Sequence, residues 1–226
     1  MSFYEWNIKA LPEGSDSPSR LGLAAKHLGY DGIIICNSEP GNIFRPEASE
    51  KINGVSISFG ARVVANTPRS MLSRVDSFRS KYPFIAVCGG SEEINRAACE
   101  NPIVDVLIHP GNGKHILEIS SARAAKLNQV AIGIDLSPLI WLRGSSRSKW
   151  MSVIGRSLDL IRKFDLDIMI TAGCRSHLDL RAPRDLLALA EIVGLERTEA
   201  ERAMCLPAKI IELNMRNWAG PGVEIL

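Results

Sequence analysis

Runs of apolar residues alternate along this chain with stretches whose apolar positions return at helical spacing. Phe3–Ile8 reads as a first strand. Arg20–Gly29 reads as a helix with Leu21, Ala24, Ala25 and Leu28 on one face and Gly29 as its stop. Gly32–Cys36 is short and continuously apolar, the pattern of a parallel strand buried on both faces. Val55–Ala65 is a third strand, and Pro68 opens a helix reaching Ser80, at a position that proline tolerates. Phe84–Cys88 is the fourth strand, and Ser91 caps the helix after it. Val104–Ile108, Val130–Asp135 and Ile168–Ala172 are the next strands, with helices at Leu117–Asn128 and Lys149–Phe164 between them. Pro183–Val193 is helical. Thr198–Met204 comes next, with Thr198 as cap and Glu201 completing a capping box. Pro207–Arg216 forms a last helix, and the tail Ala219–Leu226 is irregular.

Strand–helix pairs repeating about every thirty residues imply parallel strands joined by right-handed crossovers. The pattern predicts an α/β fold, a TIM-barrel-like (β/α) barrel of about seven parallel strands with extra C-terminal helices. Nothing resembling a linker interrupts it, so residues 1–226 are read as one domain. A doubly wound open sheet is the alternative that patterning leaves open.

With 226 residues, 46% of them apolar, the chain is long enough for one well-buried core. The net charge of +2 means that any nucleic-acid surface must come from cations gathered on one face. The five cysteines are widely spaced and form no CxxC pair, which suits reduced thiols. Met1–Ala10 mixes aromatic and charged residues, unlike a secretory signal, and no apolar run approaches a membrane span, so the cytosol is the expected setting and no membrane partner is expected.

Candidate catalytic groups are sparse. The histidines are His27, His109, His115 and His177. The first strand ends Trp6-Asn7-Ile8-Lys9 without a His-x-His, and the sixth ends at Asp135 without a neighbouring histidine. His109 and Asp135 could meet at a barrel mouth, but two ligands do not close a metal site. Cys174 lies beside Arg175 and His177, where a thiol could be activated, although a small residue at a strand end is the simpler reading. Gly111–His115 is a turn with a trailing base rather than a phosphate-binding GxxxxGK[ST] loop.

The cations show more order. Arg62 and Arg69 belong to the third strand and the helix after it. His109, Lys114 and His115 come after the fifth strand. Arg143, Arg147 and Lys149 come after the sixth, and Arg175, His177, Arg181 and Arg184 after the seventh. In a parallel barrel these connections share one face, so the charges would sum into a patch able to bind phosphate backbone. Trp141 and Trp150 flank one basic loop, either as stacking platforms for bases or as anchors to the core. Arg74, Arg79 and Lys81 lie on a helix flank and read as solvated.

Arg181-Ala182-Pro183-Arg184-Asp185-Leu186, then Leu189 and Gly194-Leu195, resembles the R-x-P-x-D-L-x-x-L helix of the ribonuclease P protein component 3 family. The acidic helix Glu196–Met204, LGYDGIII at Leu28–Ile35 and DVLIHPG at Asp105–Gly111 also resemble that family, in the same order. The resemblance implies a barrel related to metal-dependent phosphoesterases but lacking most of their ligands. It implies a protein subunit of ribonuclease P, whose RNA removes the 5′ leader of precursor tRNA, with Mg²⁺ needed by the RNA-based holoenzyme and no cofactor in this chain. The implied partners are ribonuclease P RNA, a Pop5-type subunit, the other ribonuclease P proteins and, indirectly, precursor tRNA. The early helices and Glu196–Glu201 are candidate protein-binding surfaces. Glu5 departs from the family pattern, which has Asp there. The alternatives from other classes are a metal-dependent phosphoesterase or nuclease, and a metabolic barrel enzyme using Lys114 and Arg143 as phosphate ligands.

Overall fold

The structure is a computed structural model that describes residues 2–43, 51–52, 54–110, 117–216, 218–220 and 223–224. Seven strands run parallel in one sheet: β1 (Tyr4–Ile8), β2 (Gly32–Asn37), β4 (Val55–Val63), β5 (Ile85–Cys88), β6 (Val106–Ile108), β7 (Ala131–Asp135) and β8 (Ile168–Thr171). A short β3 (Lys51–Ile52) pairs antiparallel with β4, an addition that the apolar pattern does not announce. Between the strands run α1 (Pro18–Leu28), α2 (Pro68–Arg79), α3 (Glu92–Cys99), α4 (Ile119–Asn128), α5 (Ser137–Trp141) and α6 (Gly144–Lys163). The chain ends in α7 (Pro183–Ile192), α8 (Arg197–Met215) and a ribbon of β9 (Trp218–Gly220) and β10 (Val223–Glu224). The expected barrel of seven parallel strands with C-terminal helices is therefore present, and within the tail expected to be irregular the short strands β9 and β10 pair.

Two apolar layers hold it. Every second strand residue, among them Trp6, Ile34, Cys36, Phe84, Ala86, Val106, Ile108, Ala131 and Met169, joins one cluster that fills the barrel. The alternate residues pack against the helices. Each fully buried Ile, Val or Phe side chain contributes about 1.5–3 kcal/mol. Trp6 is the largest plug: it meets Phe84 edge-on at 5.9 Å, and a Cβ on Gly133 would stand 2.7 Å from its ring. Small size is what Gly133 supplies.

β1 and β8 do not pair, so the barrel has one open seam. A side-chain bond and a backbone bond span it. The Trp6 indole donates to the Ile170 carbonyl at 2.8 Å, and the Lys9 amide donates to the Cys174 carbonyl at 2.8 Å. Beneath the strands, α8 packs against β1 and β8 and sends Ile211 into the inner cluster. This helix is continuous through Pro207, where two helices were expected. Proline removes one backbone bond, but Ala203, Met204, Pro207 and Ile211 stay buried along the same face and carry the helix through. Its cap is also different. Glu196, not Thr198, opens it, and Glu199 returns a carboxylate to the Glu196 amide at 2.8 Å.

The floor carries an ion pair. Arg79, expected to be solvated, donates to Asp105 at 2.8 Å and to the carbonyls of Pro83 and Ile103 at 3.1 and 2.5 Å. Asp105 also accepts from the Ile85 amide at 2.6 Å and the Asn214 amide group at 2.8 Å. Burial raises the Asp105 carboxyl above its ordinary range, and Arg79 works against that rise. Arg74 is likewise engaged, with Glu39 at 2.7 Å and the Ser38 carbonyl at 2.8 Å, while Lys81 is exposed as expected.

Candidate functional site

Because the strands are parallel, the connections after β1, β4, β6, β7 and β8 all open on one end of the barrel, where ligands meet this architecture. The middle of that mouth is formed by strand ends. Glu5 is fully buried beside the seam, and burial pushes its carboxyl up to about 8, above the opposing pull of Thr171 and the Ala172 amide. Thr171 Oγ1 lies 2.5 Å from Glu5 Oε1, placed to donate to it, and 2.7 Å from the Trp6 carbonyl. Tyr30 donates to the Arg181 carbonyl at 2.7 Å, with Glu5 Oε2 3.4 Å from its hydroxyl, tying the seam to the β8–α7 loop.

His109 comes directly after β6 with a left-handed backbone (φ 54°), and its Nε2 stands 3.6 Å from Asp135 Oδ2. The pair expected at the mouth is therefore adjacent. Burial lowers the imidazole from its ordinary value, Asp135 opposes this, and Arg62 and Lys9 add to it. Asp135 Oδ1 accepts from the Ser137 amide at 2.9 Å. Asn7, also with a left-handed backbone, is buried, and its Oδ1 has no hydrogen-bond partner. Among the described residues, no three His, Cys, Asp or Glu side chains converge as ligands for a metal ion.

Around this centre the cations differ in what they touch. Arg62 donates its Nε to Cys88 Sγ at 2.8 Å. Arg175 is exposed, with its backbone amide on Asp179 at 3.0 Å and Nη2 reaching the Glu13 carbonyl at 3.4 Å. Arg143 Nη1 and Arg147 Nε each donate to a carbonyl of the turn between α5 and α6, those of Ile140 and Leu142, at 2.8 Å. Arg147 and Lys149 sit in the first turns of α6, which starts at Gly144 rather than at the expected Lys149. Gly144-Ser145-Ser146 offers no apolar spacing, so the helix start is invisible to periodicity. Arg69, Lys149 and Arg184 are exposed, and Arg184 lies 3.8 Å from Asp185. His177 is engaged by its own scaffold: Nδ1 is 2.8 Å from Asp16 Oδ2 and Nε2 is 3.3 Å from Arg20. Burial raises the Asp16 carboxyl, but bonds from the His177 amide and ring and from Ser176 outweigh this and hold it below its usual range. Lys114 and His115 lie outside the described residues.

The remaining candidates resolve simply. Trp150 packs against the core, whereas Trp141 is 65% exposed. Trp141 borders a hollow of about 290 Å³ shared with Arg175 and Arg181. Cys174 is buried, and burial raises its thiol well above the ordinary range, opposite to what an activated nucleophile needs. His27 is an exposed helix residue.

The family model described as RNase P subunit p30 matches residues 2–219. The chain belongs to that family. A ribonuclease P protein component 3 from Methanosarcina mazei is 39% identical over 222 residues, which cover 97% of this chain and 92% of the relative. Among solved structures, a chain in the cryo-EM structure of archaeal ribonuclease P with mature tRNA superposes with a TM-score of 0.80 at 23% identity, covering 99% of this chain and 97% of that one. An amidohydrolase crystal structure shares the fold more distantly, with a TM-score of 0.57 at 10% identity over 95% of this chain and 74% of its own.

The family motif at Arg181–Leu186 has a structural explanation. Arg181 Nη1 lies within 3.0, 3.1 and 2.9 Å of the carbonyls of Leu178, Asp179 and Leu180, so this arginine folds the loop that leads into α7. Pro183 occupies the first turn of α7 behind Ala182, which makes no side-chain cap. Asp185 sits in that first turn with its ion pair to Arg184, where the helix dipole favours an acid. The mouth residue that charge clustering overlooks is Lys9. It stands alone at the end of β1, and only its strand-end position hints at the mouth.

Proposed function

We propose that this p30-family chain serves as a protein subunit of ribonuclease P that binds RNA through its barrel mouth, leaving phosphodiester cleavage to the RNA. The observation that carries the reading is the gathering of Arg62, His109, Arg143, Arg175 and Arg181 with exposed Arg69, Lys149 and Arg184 at one end of a rigid barrel. RNA folding brings like-charged phosphates together, and a rigid cationic face offsets that repulsion through ion pairing and counterion release. Exposed Trp141, with Arg175 and Arg181 beside it, supplies a stacking face for an unpaired base.

In the proposed complex the chain also pairs with a Pop5-type subunit and meets precursor tRNA only through the assembled particle. Mg²⁺ then serves the RNA. The barrel supplies rigidity: its inner cluster and its floor ion pair keep the mouth residues in fixed relative positions.

Reconstitution tests the proposal. Ribonuclease P RNA is assayed for precursor-tRNA cleavage with the Pop5-type partner, with and without this chain. Cleavage at low Mg²⁺ that requires the chain is expected. Equal cleavage in its absence, or turnover of a chromogenic phosphodiester by the chain alone with Mn²⁺, contradicts the reading.

A further inference from the structure

The mouth cations separate into two groups. Arg143, Arg147 and Arg181 each give one guanidinium nitrogen to backbone carbonyls of their own turns. Lys9 and Arg62 do not. Lys9 is half-buried, and burial, then the charges of Arg62 and Arg175, hold its ammonium below the ordinary lysine range. Glu13 pulls the other way, but its carboxylate oxygens accept from the amides of Ser38 and Glu39 at 2.9 and 2.7 Å. Arg62 gives only its Nε to the Cys88 sulfur. Among the described residues neither Lys9 nor Arg62 has an ion pair, and neither terminal nitrogen of Arg62 has an acceptor.

The acids close by do not balance this charge. Burial favours the protonated form of Glu5, pushing its carboxyl up to about 8. Asp135 is shared between the Ser137 amide and His109. Lys9, Arg62 and exposed Arg175 thus gather at the mouth beside two engaged carboxylates, those of Glu13 and Asp135. Like charges held together out of water repel strongly, and an anion placed among them is attracted by all three.

We propose that the centre of the mouth seats one phosphate group, with Lys9, Arg62 and Arg175 as its ligands and His109 at its edge. The seat rests on the RNA-binding reading above and sharpens it: the occupant is a backbone phosphate of the bound RNA, and the outer cations align the strand on either side. A tetrahedral oxyanion suits the donors because it presents oxygens in several directions at once. Arg62 contributes a fork of two terminal N–H groups, and Lys9 a compact ammonium.

The test tracks His109 by NMR pH titration in full-length protein, with a ribonuclease P RNA transcript, with inorganic phosphate and with chloride at matched ionic strength. An oxyanion beside His109 offsets the charges of Lys9 and Arg62, so its pKa rises with RNA and less so with phosphate, while chloride leaves it unchanged. Lys9→Gln and Arg62→Gln each abolish the rise, weaken RNA binding about tenfold and lower the salt slope by about one unit. Lys9→Gln is at least as heat-stable as the parent in phosphate-free buffer, because it removes repulsion, so loss of binding cannot be ascribed to unfolding. A rise with inorganic phosphate but not with RNA keeps the phosphate seat and assigns it to a small phosphorylated compound. No rise with either, together with unchanged RNA affinity in both variants, overturns the seat. In that case weakened binding by Arg184→Ala still upholds the wider RNA reading, whereas an inert Arg184→Ala removes both.

Discussion

The two ends of this barrel treat buried charge in opposite ways. At the floor, Arg79 meets Asp105, and the acid's remaining capacity is filled by the Ile85 amide and Asn214. At the mouth, Lys9 and Arg62 lie near each other and Arg175, and among the described residues neither Lys9 nor Arg62 has an ion pair. A satisfied network is a structural device, and an unsatisfied one of a single sign is poised for a ligand. The same fold therefore divides its labour by end, with stability below and binding above.

The largest effect expected from breaking this division is at the floor. Asp105→Ala strands Arg79, Asn214 and an amide, and should destabilise the protein by about 3 kcal/mol in urea unfolding, with RNA affinity of the folded fraction unchanged. A second contrast sets the two loop tryptophans apart. Trp150→Ala removes a side chain packed on the core and should cost about 2 kcal/mol, whereas Trp141→Ala should leave the unfolding midpoint alone and weaken RNA binding.

The seam gives a pH-dependent contrast. The folded-state pKa of Glu5, about 8, exceeds the ordinary carboxylate value, so the folded chain holds a proton that the unfolded chain releases. Stability attributable to this group is full below the ordinary carboxylate pKa and falls, by up to about 1.4 kcal/mol per pH unit, until pH passes about 8. Glu5→Gln should lack that decline, so the stability difference between variant and parent should shift in the variant's favour from pH 5 to 8 and level off above. Parallel curves would show that Glu5 is ionised throughout. The smallest effect belongs to the outermost cation. Arg184→Ala should change stability by less than about 0.5 kcal/mol and lower the salt slope of RNA binding by about one unit or less.

Legibility in the chain varies with the physics of each element. Gly32–Cys36 announces a buried parallel strand because nothing polar interrupts it. The outer cations are legible because they sit just after strands, and parallel strands carry their trailing loops to one end of the barrel. Lys9 is not, since a single strand-end lysine carries no local pattern and acquires meaning only when Arg62 and Arg175 arrive from other strands. Arg79 misleads in the opposite sense: its helix flank looks solvated until the floor closes over it with Asp105. The α8 boundaries are hidden by Pro207, which reads as a breaker, and by Glu196, a residue outside the favoured cap set.

The most direct test of the division between ends is the salt dependence of RNA affinity for three proteins: the parent, a mouth variant carrying Lys9→Gln, Arg62→Gln and Arg175→Gln, and a floor variant carrying Arg79→Gln, each measured well below its unfolding temperature. The mouth variant should lose about two to three units of slope while the floor variant keeps the parent's. Equal slopes in all three, or a loss confined to the floor variant, would contradict the account.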